Sequence, residues 1–203
     1  MASISENIVR EYFELHGFFV RQQRKYIAPI RLDDDEIDFL VLHPRHEATA
    51  GVPFILRSDD LSGVASAVVV VKGWHSETFS TGMLANAPEI FRVFEPGVFQ
   101  SASKSFGRDT VPVKILVVPA LPAAAAAREQ SIAFLRSKGV DAVLPFRTML
   151  ADLIGHIEVN RNYQKSDLLQ VIRILKNYEL FGGAQLDLFQ ATPKRRRSRR
   201  KAG

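Results

Sequence analysis

The chain contains no cysteine, which excludes thiol nucleophiles, thiolate zinc sites and a disulfide scaffold. No apolar run approaches the roughly 20 residues needed to cross a bilayer, and no charged-then-apolar leader opens the sequence. These absences set the expectation of a soluble, intracellular protein with no membrane partner. Three chemical fingerprints are also missing: a Gly-rich loop ending in Lys-Ser/Thr, G-x-G-x-x-G and G-x-S-x-G. Nucleotide hydrolysis, dinucleotide use and serine hydrolysis therefore have no sequence support. The body is also short of positive charge. The 203 residues carry 27 Lys and Arg against 22 Asp and Glu, a formal net charge of +5. Seven of the basic residues (Lys194, Arg195, Arg196, Arg197, Arg199, Arg200 and Lys201) fall in the last ten positions. Removing those seven from the 27 leaves 20 basic groups against 22 acidic, a body of net charge −2.

What is present is enough apolar material, 46% of residues, to fill one core. Ser3 followed by Glu6 forms a capping box, and Ile8, Val9, Tyr12, Phe13 and His16 recur at the spacing of one helical face that Gly17 closes. Phe18 to Tyr26 and Ile37 to Leu42 read as strands joined through the acidic turn Asp33-Asp34-Asp35-Glu36. After a loop, His43 to Gly63, the valine-dominated run Ala67 to Val71 predicts a strand buried on both faces. Two short proline-opened helices follow Pro88 and Pro96, the second stopped by Gly107. Val111 to Val118 is a second buried strand, Pro122 to Lys138 a helix, and Ala142 to Leu144 a short strand. Thr148 to Glu158 and Ser166 to Tyr178 complete the helices, the latter with Leu168, Val171, Ile172 and Leu175 on one face. The order is α-β-β-β-α-β followed by helices, an α/β class with no internal repeat. From Gly182 the composition turns to Gly, Gln, Pro and Arg without a period, which marks a disordered end. The expected division is a domain over residues 1–180 and a tail over 181–203.

Two charged residues stand where strands should be apolar. Asp38 falls early in its strand and Lys72 ends a run of four valines. A carboxylate that holds a divalent cation, beside a lysine that orients water and neutralises phosphate charge, is what metal-assisted phosphodiester hydrolysis requires. The structural alternatives are a strand-end cap for Asp38 and a solvated strand end for Lys72.

The helix Glu6 to His16, the segments Glu36-Ile37-Asp38-Phe39-Leu40-Val41 and Val68-Val69-Val70-Val71-Lys72-Gly73-Trp74, and the α-β-β-β-α-β order resemble the PD-(D/E)xK nuclease superfamily over roughly residues 3 to 146. The resemblance implies a restriction-endonuclease-like three-layer core, a central mixed β-sheet flanked by helices. It implies Asp38 and an acid two residues before Lys72 as magnesium ligands, with Glu6 on the first helix assisting. The position before Lys72 departs from the pattern, because Val70 occupies it. Some members of the superfamily supply that acid from a neighbouring helix, and Glu77 is the nearest candidate metal ligand here; its structural alternative is a first-turn helix residue favoured by the dipole. Trp74 reads as packing beside the sheet, with base stacking as the alternative. His43-Pro44-Arg45-His46 reads as a polar loop, lacking a third ligand at useful spacing.

In the tail, Gln185-Leu186-Asp187-Leu188-Phe189 places three large apolar side chains in a segment too polar to fold alone, so a partner is expected to complete their packing. The pentapeptide resembles the bacterial sliding-clamp binding motif at all five positions. That implies Gln185 at the mouth of the clamp groove, Leu188 and Phe189 as pocket anchors, and Leu186 as added contact area. The alternative is that the apolar residues pack back on the body, which Gly182-Gly183 opposes. The basic run behind it reads as a sequence-independent contact to the DNA backbone, or as a solubilising tail. Together these features set the expectation of a DNA replication or repair nuclease in the bacterial cytoplasm, at the nucleoid, recruited to the sliding clamp. The alternative is a nuclease-fold adaptor that binds clamp and DNA without cleaving. Because the positive excess is confined to the tail, binding to duplex DNA is predicted to weaken steeply between about 50 mM and about 300 mM salt. It should be lost when the seven tail cations are replaced by glutamine. Filter binding checks this, and salt-independent retention would contradict it.

Overall fold

The computed structural model describes residues 4–22, 37–46, 51–106 and 111–181. The readings of Ser3, of a strand beyond Gln22, of the turn Asp33 to Glu36, of Gly107 and of the tail from Gly182, with the pentapeptide and the basic run, lie outside them. The described chain runs α1 (Ile4–Leu15), β1 (Phe19–Gln22), β2 (Phe39–Leu42), β3 (Ser66–Val71), α2 (Thr81–Ala85), α3 (Pro96–Ser103) and β4 (Val113–Val118). It continues with α4 (Ala125–Ser137), β5 (Ala142–Pro145), α5 (Phe146–His156) and α6 (Asp167–Asn177). Among these residues no helix is long and apolar enough to cross a membrane. By its own contacts the chain divides into two compact units, residues 1–156 and 157–203.

The first unit is built on one five-stranded mixed sheet in the order β1-β2-β3-β4-β5, flanked by helices. The strand β2 is antiparallel to both its neighbours, whereas β3, β4 and β5 are mutually parallel. The β-branched runs that predicted β3 and β4 explain their central position, since every residue must be apolar where both faces are covered. On one face Leu40, Val68, Val70, Leu116, Val118 and Val143 meet Leu84, Ile90, Phe91, Phe94 and Leu135 from the segments between β3 and β5. The alternate residues Val69, Ile115, Val117 and Leu144 are equally buried and project the other way. There α1 and α5 pack together and lean on β1, β3 and β5. Each such side chain contributes about 1.5–3 kcal/mol on burial.

The first helix forms as its periodicity predicts, with Ile8, Val9, Tyr12 and Phe13 buried. It stops at Gly17, whose φ of +81° suits a residue without a side chain, while Phe18 N–H donates to Phe13 O at 3.0 Å. The segment after Pro88 is a 3₁₀ turn, Pro88–Phe94, and the segment after Pro96 is α-helical. The short helix α2 has no counterpart in the sequence pattern; the Ser80 hydroxyl caps it by accepting from Met83 N–H at 3.3 Å. In the second unit, Ser166 caps α6 by accepting from Leu169 N–H at 3.3 Å, and Lys176 and Arg173 donate to Ile157 O and Val159 O at 2.6 and 2.8 Å.

Val70 bears on the chemistry. It is fully buried in the apolar layer, so an acid placed there would be a carboxylate in the core. The substitution Val70→Glu is predicted to lower stability by about 3 kcal/mol or more. Denaturant unfolding measures this, and an unchanged midpoint would contradict the packing described.

Candidate active site

The carboxyl ends of β1, β3, β4 and β5, the start of β2 and the first turn of α1 lie along one edge of the sheet. Backbone pairing between β2 and β3 ends at Phe39 opposite Val69. Beyond it, Lys72 N–H still donates to Val117 O at 3.1 Å, which continues the parallel ladder with β4. On a strand, successive N–H groups point to opposite sides, so Val71 N–H faces the β2 side, beyond the last paired residue there. The Asp38 carboxylate fills the gap, its Oδ2 accepting from Val71 N–H at 2.6 Å. Asp38 itself precedes the regular strand, its N–H donating to Val69 O at 3.2 Å. Ile37 joins the same apolar cluster as Leu40, although residues three apart on a regular strand would lie on opposite faces. The pleat is therefore interrupted where the carboxylate emerges.

The opposite wall of the edge comes from α1. The Glu6 carboxylate accepts from Gln22 Nε2 at 2.7 Å, a contact from the first helical turn to the end of β1. Next to it, the Ser5 hydroxyl lies 3.0 Å from His75 Nε2, and the His75 ring meets Phe146 edge-on at 4.6 Å. Gly73 makes this approach possible, because a Cβ there would stand 2.3 Å from Ser5 Oγ and 2.9 Å from Ser5 Cβ. Asp38 is thus bonded to the residue before Lys72, and the neighbour of Glu6 touches the residue after it. Glu6 in the first turn of α1, Asp38 just before β2 and Lys72 just after β3 belong to segments linked at the same end of the sheet.

Glu77 is not part of that cluster of contacts. It sits in the loop between β3 and α2, not in a helix, with its N–H donating to Trp74 O at 2.8 Å. With Trp74, His75 and Glu89 it lines an open cleft of about 760 Å³ that begins at Gly73. Trp74 packs on Phe79 of the core cluster, ring centroids 6.0 Å apart, and stays 38% exposed. Among the described residues no three His, Cys, Asp or Glu side chains form a group that could hold a metal ion. A sparser set still suits magnesium, which commonly takes one or two carboxylates and completes its shell with water and substrate phosphate. Asp38 and Glu6 are the carboxylates whose contacts lie at this end of the sheet, while Val70 offers nothing to a cation.

A second polar cluster, not anticipated from the sequence, joins the far end of α1 to α5. His16 Nε2 lies 2.8 Å from Asp152 Oδ2, and His156 Nδ1 lies 3.6 Å from Asp152 Oδ1. Nearby, Tyr12 Oη and Ser58 Oγ are 3.0 Å apart. Burial pushes the Tyr12 hydroxyl well above the usual phenol range, with Asp152, Asp60 and Asp59 adding to the rise and the Ser58 hydrogen bond opposing it. It remains a neutral structural group. His43 Nδ1 accepts from Arg45 N–H at 3.2 Å, which leaves Nε2–H to donate to His16 O at 3.2 Å and gives this histidine a structural task. The partners Ser5, Gln22 and His75 had no sequence signal, since each acts on a residue distant in the chain.

In comparisons with known proteins, no family model, no curated protein and no solved structure matches the chain. Its class is therefore stated from its own geometry: an α/β protein with a five-stranded mixed sheet and a polar edge formed by α1, β2 and β3. The closeness of Gly73 to α1 gives a direct check. Gly73→Ala is predicted to cost about 1–3 kcal/mol, and Ser5→Gly in the same chain should recover part of it. Additive effects in that double-mutant cycle would contradict the contact.

Proposed function

We propose that the chain is a nuclease-like protein of bacterial DNA replication or repair, recruited to the sliding clamp, that hydrolyses phosphodiester bonds with magnesium. The observation that carries this reading is the hydrogen bond from Val71 N–H to Asp38 Oδ2, which holds a carboxylate against the residue before Lys72. The mixed sheet and its opening α-β-β-β order support the restriction-endonuclease-like assignment that the motifs suggested.

In this reading Asp38 and Glu6 hold the cation, and Gln22 fixes the Glu6 carboxylate by its hydrogen bond. Lys72, carried on the rigid end of β3, neutralises the charge that develops on the phosphate. Magnesium, when bound, supplies Lewis acidity to the phosphoryl oxygen and acidifies bound water. The tail pentapeptide Gln185 to Phe189 docks in the clamp groove, and the basic run Lys194 to Lys201 meets DNA passing through the clamp. The two weak contacts reinforce each other through effective concentration. A second reading, an adaptor that binds clamp and DNA without cleaving, is favoured by Val70, which places valine in the core where the motif calls for an acid.

Branched, flapped and plain duplex DNA in Mg²⁺ or Mn²⁺ separate the two. The expected result is cleavage of at least one substrate, reduced by about 100-fold or more in Asp38→Ala. Asp38→Asn is the companion variant, because its amide oxygen can still accept from Val71 N–H while the charge is gone. No cleavage with DNA binding intact selects the adaptor. Co-purification with the clamp is expected to be lost in the Leu188→Ala, Phe189→Ala chain, and persistence would sink the clamp assignment.

A further inference from the structure

The cleft that begins at Gly73 directly adjoins the proposed catalytic edge, yet its chemistry differs from that of a phosphate site. Trp74 is 38% exposed on its wall, steadied by the buried Phe79 beneath it. Asn86, Glu77 and Glu89 are exposed around it, and Met83 adds a polarizable contact. Among the described residues that line it there is no lysine or arginine. Two exposed carboxylates with no lysine or arginine in the lining disfavour a phosphodiester backbone here. A nucleobase, by contrast, offers a neutral π face for Trp74 and an edge of donors and acceptors suited to an amide and carboxylates. The volume of about 760 Å³ is within the range of small-ligand sites and ample for a base.

We propose that this cleft receives an unpaired nucleobase stacked on Trp74 while the adjoining phosphate lies at Lys72. The substrate class is accordingly DNA with single-stranded character, such as a flap, a gap or a loop, because the bases of an intact duplex present no free face. The position of the phosphate rests on the nuclease-like reading; the stacking does not. The inference also accounts for how a body of net charge −2 grips nucleic acid, through a local aromatic platform rather than a positive surface.

Trp74 is the chain's one tryptophan, so its fluorescence reports this cleft alone. The test uses the full chain at about 300 mM salt, which suppresses the basic run, with an end-labelled oligothymidylate and a blunt duplex of the same length. The expected result is quenching by the single strand and none by the duplex. By anisotropy, single-strand binding should weaken about ten-fold in Trp74→Leu and much less in Trp74→Phe, which keeps a stacking ring. An oligonucleotide that binds without quenching, or equal quenching by the duplex, overturns the proposal. Quenching without cleavage refutes only the nuclease reading, cleavage without quenching refutes only this inference, and failure to bind any DNA refutes both.

Discussion

The hydrogen bond from Val71 N–H to Asp38 Oδ2, at 2.6 Å, is the constraint on which the functional edge depends. A central parallel strand can leave the sheet only where its N–H groups stop needing backbone partners, and Val71 has lost its partner on the β2 side. Asp38 supplies an acceptor from a side chain. That frees the chain after Val71 to carry Lys72 and then to turn through Gly73 against the first turn of α1. The same carboxylate that completes the sheet is thereby held against the residue before Lys72. Asp38 therefore has a structural task at the end of β3, where it caps a strand amide and not a turn. A carboxylate has further lone pairs beyond the one an amide occupies.

Around this edge the molecule separates kinds of recognition that a whole-chain isoelectric point of about 9.6 would merge. The positive excess belongs to the last ten residues, the pentapeptide before them carries three large apolar side chains, and the body has an exposed tryptophan two residues beyond Lys72. In the proposed reading the tail sets the protein's location and the body its choice of DNA.

Much of the fold was legible because buried central strands leave an unmistakable apolar signature. The runs read as Ala67 to Val71 and Val111 to Val118 become Ser66–Val71 and Val113–Val118. The helix read as Ser166 to Tyr178 becomes Asp167–Asn177, with Ser166 as its cap. Signals failed where local propensity is weak and tertiary packing decides. The five-residue α2 was missed, and the loop over Ser58–Gly63 hides a 3₁₀ turn with Leu61 buried beneath it. For the site, residue type and position singled out Asp38, Lys72 and Glu6. Their supports were illegible: Gln22 lies 16 residues from Glu6, and His75 lies 70 from Ser5, separations at which no local pattern survives. Glu77, chosen for nearness in sequence, lines the cleft with Trp74, His75 and Glu89.

The central claim is that the end of the sheet that carries Glu6, Asp38 and Lys72 is where a divalent cation and a phosphate are received. Paramagnetic line broadening by Mn²⁺ in amide-resolved spectra of the full chain, with single-stranded DNA present, measures this most directly. The account predicts selective broadening of the amides of Glu6, Asp38, Val71 and Lys72, abolished in Asp38→Asn. Broadening centred instead on His16, Asp152 and His156, or no selective broadening anywhere in the folded body, would contradict it.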